Sequence, residues 1–285
     1  CVIENKNNKI KIKTDNKYKK QIISIKNNMK TPYPYNHWML KEIYEQKESC
    51  KRAISYGGRL LDDNRVRLGG LEINKKELKK INNIILLGCG TSYFAGLTSL
   101  DYFKNLCNFY TVQIFDGAEF KENDIPKNGT TGLILLSQSG ETKDLHRCIK
   151  IGKDNDLYLI GVVNVVDSLI ARETNCGCYL NAGREVAVAS TKSFTSQCIL
   201  LSMIAIWFAQ IHNINGNKRL QCVRDLRNLE NDINVVLEGG ENYKKITNKL
   251  NNKNSIFILG KGYNEAIAKE GSLKIKEVTY VHAEG

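Results

Sequence analysis

No stretch of this 285-residue chain reads as long and apolar enough to cross a bilayer. The most apolar window, Cys198–Ala209, has about half the length a span needs and predicts a buried helix instead. A secretory leader is missing too, because Lys6, Lys9, Lys11 and Lys13 alternate with Ile and Asn and leave no apolar core. There is no Lys of a Walker loop and no G-x-G-x-x-G spacing, which excludes the commonest nucleotide-binding turns. Cys176-Gly-Cys178 has neither a second pair nor a nearby His, which argues against zinc; no metal or organic cofactor is expected. The nine cysteines are an odd number and several sit in apolar runs, so reduced thiols in a cytoplasmic protein fit best. The net charge is +12, yet the lysines are scattered among asparagines with no basic stripe interleaved with aromatics. That pattern speaks against nucleic acid and membrane as partners and for a field that favours a small anion.

What is present is an alternation of apolar runs and helical segments. Ile84–Leu87, Val112–Phe115, Leu133–Leu136 and Tyr158–Val163 read as buried strands; Tyr93–Leu106 and Lys143–Lys153 read as the helices between them. Such short continuous runs predict an α/β fold with a doubly wound, mainly parallel sheet in three layers, flavodoxin-like. Ala189–Ala209 and Leu220–Leu237 read as long closing helices, and His37–Ser49 as an earlier helix after the break at Thr31–Pro34. Residues 1–30 alternate apolar and polar as a short hairpin would, with Ile22, Ile23 and Ile25 in its later part. Near the end the theme restarts. Asn83-Ile-Ile-Leu-Leu-Gly-Cys-Gly90 returns as Ser255-Ile-Phe-Ile-Leu-Gly-Lys-Gly262, with Gly88 and Gly260 separated by 172 residues. That distance suits a duplicated domain of which only the first strand and helix are expected before Gly285.

The chemistry concentrates where strands give way to helices. Ser137, Gln138, Ser139, Gly140, Glu141 and Thr142 follow a strand and precede a helix, so hydroxyls and backbone N–H groups meet at the positive end of a helix dipole. Gly90-Thr91-Ser92 occupies the same kind of place, and Val188-Ala-Ser-Thr-Lys192 begins a third helix. One such cluster is explained by capping. Three in one domain point to a pocket for a phosphorylated sugar at the carboxyl ends of the strands. Lys274 and Glu277, one helical turn apart, are either a surface ion pair or a working pair.

Taken in order, the segments Gly88–Tyr93, Ser137–Thr142, Ala182–Gln197 and Glu270–Glu277 resemble the isomerase half of the glutamine–fructose-6-phosphate aminotransferases, also called glucosamine-6-phosphate synthases. Lys41-Glu-Ile-Tyr-Glu-Gln46 is similar to the segment that links that family's glutaminase and isomerase parts. The resemblance implies two sugar-isomerase (SIS) domains. It divides the chain into a glutaminase tail at 1–30, a linker with a helix at 31–74, a first SIS domain at 75–240 and the start of a second at 241–285. It implies that Thr91, Ser92, Ser137, Gln138, Ser139 and Thr142 hold fructose 6-phosphate, with Val188, Ala189 and Ser190 lining the same pocket. Glu277 matches the family's general base, which moves a proton between C1 and C2; Lys274 is placed to steady the developing enolate. The expected activity is glutamine-dependent amination and isomerisation of fructose 6-phosphate to glucosamine 6-phosphate, with ammonia from a glutaminase domain and a homodimer or higher oligomer as the assembly. A non-catalytic sugar-phosphate sensor and a phosphosugar isomerase without ammonia transfer are the alternatives.

The chain also departs from the family. Ala187 stands where a Gly is usual, which restricts the backbone there. Cys1 lacks the Gly-Ile-Phe-Gly type of sequence that follows the family's nucleophile, and His282 is no substitute for the ring-opening His of a Lys-His-Gly-Pro segment. That segment and the Schiff-base Lys are expected beyond Gly285, so a fragment that turns nothing over is anticipated.

Overall fold

The computed structural model describes Val2–Lys6, Lys9–Lys13 and residues 31–285. Contacts divide the chain into two units, Cys1–Pro32 and Tyr33–Gly285. In the first, β1 (Val2–Lys6) and β2 (Lys9–Lys13) form the antiparallel hairpin that the alternation predicts. Ile22, Ile23 and Ile25 lie outside the described residues.

The second unit opens with α1 (Trp38–Tyr44) and α2 (Gln46–Ala53), two short helices α3 (Gly69–Glu72) and α4 (Lys75–Leu78), and then the sheet. Its strands are β3 (Ile81–Gly88), β4 (Thr111–Asp116), β5 (Thr130–Ser137), β6 (Tyr158–Val163) and β7 (Cys176–Tyr179), all parallel, in the order β4-β3-β5-β6-β7. Helix α5 (Thr91–Leu106) joins β3 to β4, α6 (Lys143–Asp154) joins β5 to β6, and α7 (Leu169–Glu173) joins β6 to β7. Two long helices, α8 (Lys192–Ile211) and α9 (Gly216–Glu238), follow.

Both faces of the sheet are covered, which is why its strands read as unbroken apolar runs. Ile84, Leu86, Ile134, Leu136, Ile160 and Val162 point to one face and pack with residues of α5, α8 and α9. Their alternates Ile85, Leu87, Leu133, Leu135, Leu159 and Val163 point to the other and meet Leu145, Cys148, Ile149 and Ile170 of α6 and α7. The period of two along each strand divides the apolar residues evenly between two cores. Contrary to the sequence reading, α8 is long and apolar enough to cross a membrane by length and composition, but 78% of its apolar window is buried inside the protein. It is the central helix of the first core.

After α10 (Gly240–Leu250), β8 (Ser255–Phe257), α11 (Tyr263–Thr279) and β9 (His282–Glu284) form a second strand–helix–strand unit with β8 and β9 parallel. This unit carries one strand more than the sequence suggests. His282 sits on β9, where its Nδ1 lies 2.8 Å from the Ser255 hydroxyl.

Three further differences have local causes. The helix expected over His37–Ser49 breaks at Glu45, so Lys41–Gln46 straddles two helices. The helix expected from Ala189 starts at Lys192, because residues 188–191 remain a loop tied down by carboxylates. Strand β7 is built from Cys-Gly-Cys-Tyr, a sequence without β-branched residues; its thiols are core groups, both pushed up to about 12 by burial.

Candidate functional site

The strand order fixes where a ligand can sit. From β3 the chain moves outward to β4 on one side, and from β5 it moves outward to β6 and β7 on the other. The crevice of such a sheet opens between β3 and β5, beyond their carboxyl ends. The strands pair with Leu87 level with Leu135, so their two following turns emerge side by side. Those turns are Gly88–Ser92 and Ser137–Thr142.

The turn after β5 is arranged by its own hydroxyls. Ser137 is buried; its Oγ accepts the Gly140 N–H at 2.9 Å and lies 2.8 Å from the Thr142 Oγ1. Ser139 Oγ accepts the Glu141 N–H at 3.1 Å. Gly140 has φ +70°, and a Cβ there would stand 2.0 Å from the Ser168 hydroxyl, so only glycine fits. Thr142 is the N-cap residue of α6 but makes no side-chain cap bond. The capping explanation therefore fails for this cluster, and the positive end of α6 is left to other partners.

The turn after β3 faces two helices. Ser92 Oγ accepts from Gln197 Nε2 of α8 at 2.9 Å, while the Thr91 hydroxyl accepts from Lys274 Nζ of α11 at 2.9 Å and donates to Glu270 Oε1 at 3.1 Å. Helix α5 likewise begins without a side-chain cap. Lys274 reaches Glu277 Oε2 at 2.5 Å and stands 3.6 Å from Glu270 Oε1. The pair read from sequence as either surface or working is thus docked on the Thr91 turn. Lys274 is largely covered, with 16% of its side chain exposed, and Glu277 is open at 38%.

The third cluster behaves differently. The Glu185 carboxylate sits on the start of α8, accepting the Thr191 N–H at 2.8 Å, the Ser193 N–H at 3.3 Å, the Ser190 hydroxyl at 2.8 Å and the Ser193 hydroxyl at 2.5 Å. An internal carboxylate takes the place an anion would take. Ala189 is buried, and Val188 is fully exposed at 103%. Three acceptors from the α1–α2 segment hold this loop. Glu42, 1% exposed, accepts the Val186 N–H at 2.5 Å and the Ala187 N–H at 3.2 Å. Glu45 pairs with buried Lys192 at 2.5 Å, and Gln46 Oε1 accepts from the Thr195 hydroxyl at 2.6 Å. Sequence reasoning saw Lys41–Gln46 only as a linker; the signal lay in its three polar acceptors on adjoining turns. Glu270 was missed as well, although it lies one helical turn before Lys274.

A cavity of about 650 Å³ opens beside this site, past β5 and β6, lined by Arg52, Tyr56, Gln138, Asn164, Arg184 and Glu185 among others. Of the candidate residues, only Gln138 lines it. Thr91, Ser92, Lys274 and Glu277 are not among its lining residues.

Comparison with known proteins agrees with this geometry. The sequence matches the SIS domain over residues 77–207 and 249–285. It is 44% identical over 99% of its length to a protein of Acanthamoeba polyphaga mimivirus named "probable glutamine–fructose-6-phosphate aminotransferase [isomerizing]", of which it covers 46%. It is 37% identical to glutamine–fructose-6-phosphate aminotransferase [isomerizing] 2 of Homo sapiens over 88% of the chain, covering 36% of that protein. The chain thus spans less than half the length of these relatives. Among solved structures, the C-terminal domain of glucosamine-fructose-6-phosphate aminotransferase from Francisella tularensis superposes with a TM-score of 0.82 at 29% identity, over 90% of this chain and 71% of that one. On these matches, together with the parallel sheet and its hydroxyl-bearing turns, the chain belongs to the SIS domain family.

Proposed function

We propose that this chain carries the sugar-phosphate-binding and isomerising part of a glutamine-dependent aminotransferase that converts fructose 6-phosphate to glucosamine 6-phosphate. The observation that supports this most strongly is the Lys274 ammonium bound to both the Thr91 hydroxyl and the Glu277 carboxylate. A mere binding module needs the hydroxyl turns but has no use for an open carboxylate held beside them.

In this reading Ser137, Gln138, Ser139 and Thr142 receive the phosphate at the uncapped start of α6, and Thr91 and Ser92 receive the sugar hydroxyls at the start of α5. Neutral donors at helix ends stabilise a dianion without a permanent ion pair. Val188 and Ala189 border the site on the Glu42-held loop, while Ser190 serves it indirectly through its bonds to Glu185 and Ser193. Glu277 accepts the proton from C1 or C2 and returns it to the neighbouring carbon, and Lys274 offsets the charge that builds on the enolate oxygen. The ammonia comes from an upstream glutaminase unit whose tail is residues 1–30. Residues 31–74 join it to a first SIS domain at 75–240 and a second beginning at 241, in a cytoplasmic homodimer or larger assembly.

The test uses the full-length protein that carries this chain, with fructose 6-phosphate in deuterated water. Binding followed by calorimetry should be saturable, and deuterium should enter at C1 or C2. Glu277→Gln should abolish that exchange while leaving affinity within about threefold. Exchange that survives the substitution refutes the role of Glu277. Absence of binding refutes the sugar-phosphate pocket.

A further inference from the structure

Glu270 lies at the inner end of the Lys274 network. It is 6% exposed; its Oε1 accepts from the Thr91 hydroxyl at 3.1 Å, and its Oε2 is buried with no hydrogen-bond partner. Leaving a carboxylate oxygen dry and unpaired strongly disfavours the charged form. Burial pushes this carboxyl up to about 7, against the opposing pull of Lys274 and the Thr91 hydroxyl. The charged or titratable groups that face it are Lys274 and Glu277 on its own helix and Cys198 on α8; Thr91 approaches from α5. The Cys198 thiol is pushed up to about 12 by burial and stays neutral. Lys274 therefore stands between two carboxylates, at 2.5 Å from Glu277 and 3.6 Å from Glu270, with the Thr91 hydroxyl bridging it to the latter.

We propose that Glu270 is a positioning residue for the isomerisation: when ionised it draws Lys274 inward along the Thr91 bridge and off Glu277, leaving Glu277 free to take the sugar's proton. The inference rests on the role given to Glu277 above. No covalent step is added. Glu270 exchanges one proton with solvent, Lys274 keeps its own throughout, and the proton removed from the sugar carbon stays on Glu277 until it is returned. At acid pH Glu270 is neutral, Lys274 belongs to Glu277 alone, and proton abstraction is held back. Through neutrality the second carboxylate competes for the same ammonium.

The experiment is a carboxyl-¹³C glutamate titration of the chain by NMR between about pH 5 and 9, without sugar. One glutamate, identified by its loss in Glu270→Gln, should titrate near pH 7. The Glu277 carboxyl, identified through Glu277→Gln, should show an inflection at the same pH that disappears in Glu270→Gln. If no glutamate titrates above about pH 5.5, or if the Glu277 inflection survives Glu270→Gln, the proposal is wrong. The wild-type titration decides the first point even where a variant fails to fold. In turnover by the full-length protein, Glu270→Gln should flatten the rise of kcat through about pH 7 with KM within about twofold, and Glu270→Asp should restore a rise. A coupled titration in a chain that binds no fructose 6-phosphate would keep the Glu270–Lys274 linkage and refute the function proposed above. Sugar binding and exchange without the coupled titration would refute only the part given to Glu270.

Discussion

The two segments read from the sequence as copies of one repeat make the same turn with different side chains. After β3, Gly88 leaves no room for a Cβ, which would stand 2.7 Å from the Ser92 carbonyl carbon; after β8, a Cβ on Gly260 would stand 2.1 Å from the Asn264 carbonyl oxygen. Gly90 and Gly262 then take matching conformations, with φ +54° and +61° and ψ −125° in both. The backbones of the two turns match in detail. The residues just past the turn have not: Thr91 and Ser92 put hydroxyls toward α11 and α8, whereas the second copy places Tyr263 beside Asn105 of α5, at 3.3 Å. A turn of this shape builds a helix start, and only its next two side chains decide whether that start is chemically equipped.

The likeness of the two copies can be broken at several levels. The largest effect belongs to the glycines. Gly88→Ala drives a methyl into the backbone at the end of a fully buried strand and should cost about 3 kcal/mol or more, read as a fall in Tm. Gly260→Ala makes the tighter clash but lies in the exposed turn between β8 and α11, so it should loosen α11 in hydrogen exchange while the Tm of the main sheet moves little. Equal losses of Tm would show that the two copies form one cooperative unit.

Next comes the buried acid that α11 brings to the first copy's turn. Glu270 holds its proton in the folded state up to about pH 7 and loses it near the ordinary glutamate value when unfolded. The folded state thus binds more protons across that interval, and stability must fall as pH rises from about 4.5 to 7. The loss should be on the order of 2 kcal/mol, visible in urea unfolding as a function of pH, and Glu270→Gln should remove it. A stability profile unchanged by that substitution would show that this carboxyl is not perturbed.

Smaller still is the hydroxyl that separates the copies. Thr91→Val keeps the shape but removes the bridge between Lys274 and Glu270. It should weaken fructose 6-phosphate binding by about tenfold, roughly 1.4 kcal/mol, without unfolding the domain. The counterpart change, Tyr263→Phe, removes one exposed hydrogen bond and should alter binding and stability by no more than about 0.5 kcal/mol. A comparable loss of binding in both would erase the chemical distinction between the two helix starts.

Legibility in the sequence divides along the same line between backbone and side chain. β3, β5 and β6 were readable because a sheet covered on both faces fills the middle of each of these strands with a run of apolar residues. The paired turns were readable because glycine spacing repeats at Gly88 and Gly260. β7 was not, since Gly177 packs where a Cβ would strike the Gly161 carbonyl, and that close approach excludes the residues by which strands are recognised. Nor was the loop ahead of α8 readable. A helix reading of Ala189–Thr191 is locally sound, and it is defeated by Glu185 and Glu42, whose contacts span from 5 to 145 residues. In the site, Thr91, Lys274 and Glu277 are brought together across more than 180 residues; the i,i+4 spacing of Glu270 and Lys274 puts them on one helix face but says nothing of the Thr91 hydroxyl that joins them.

The clamp on the start of α8 has a mechanical meaning. Lys192 is 3% exposed, and its ammonium is shared between the Glu45 carboxylate at 2.5 Å and the Arg184 carbonyl at 2.6 Å, while Glu42 grips two amides of the same segment. Parting such groups strands a cation away from water, a heavy penalty for a small displacement. A pull on α1 consequently travels as through a stiff rod: residues 184–193, Val188 and Ala189 among them, follow it.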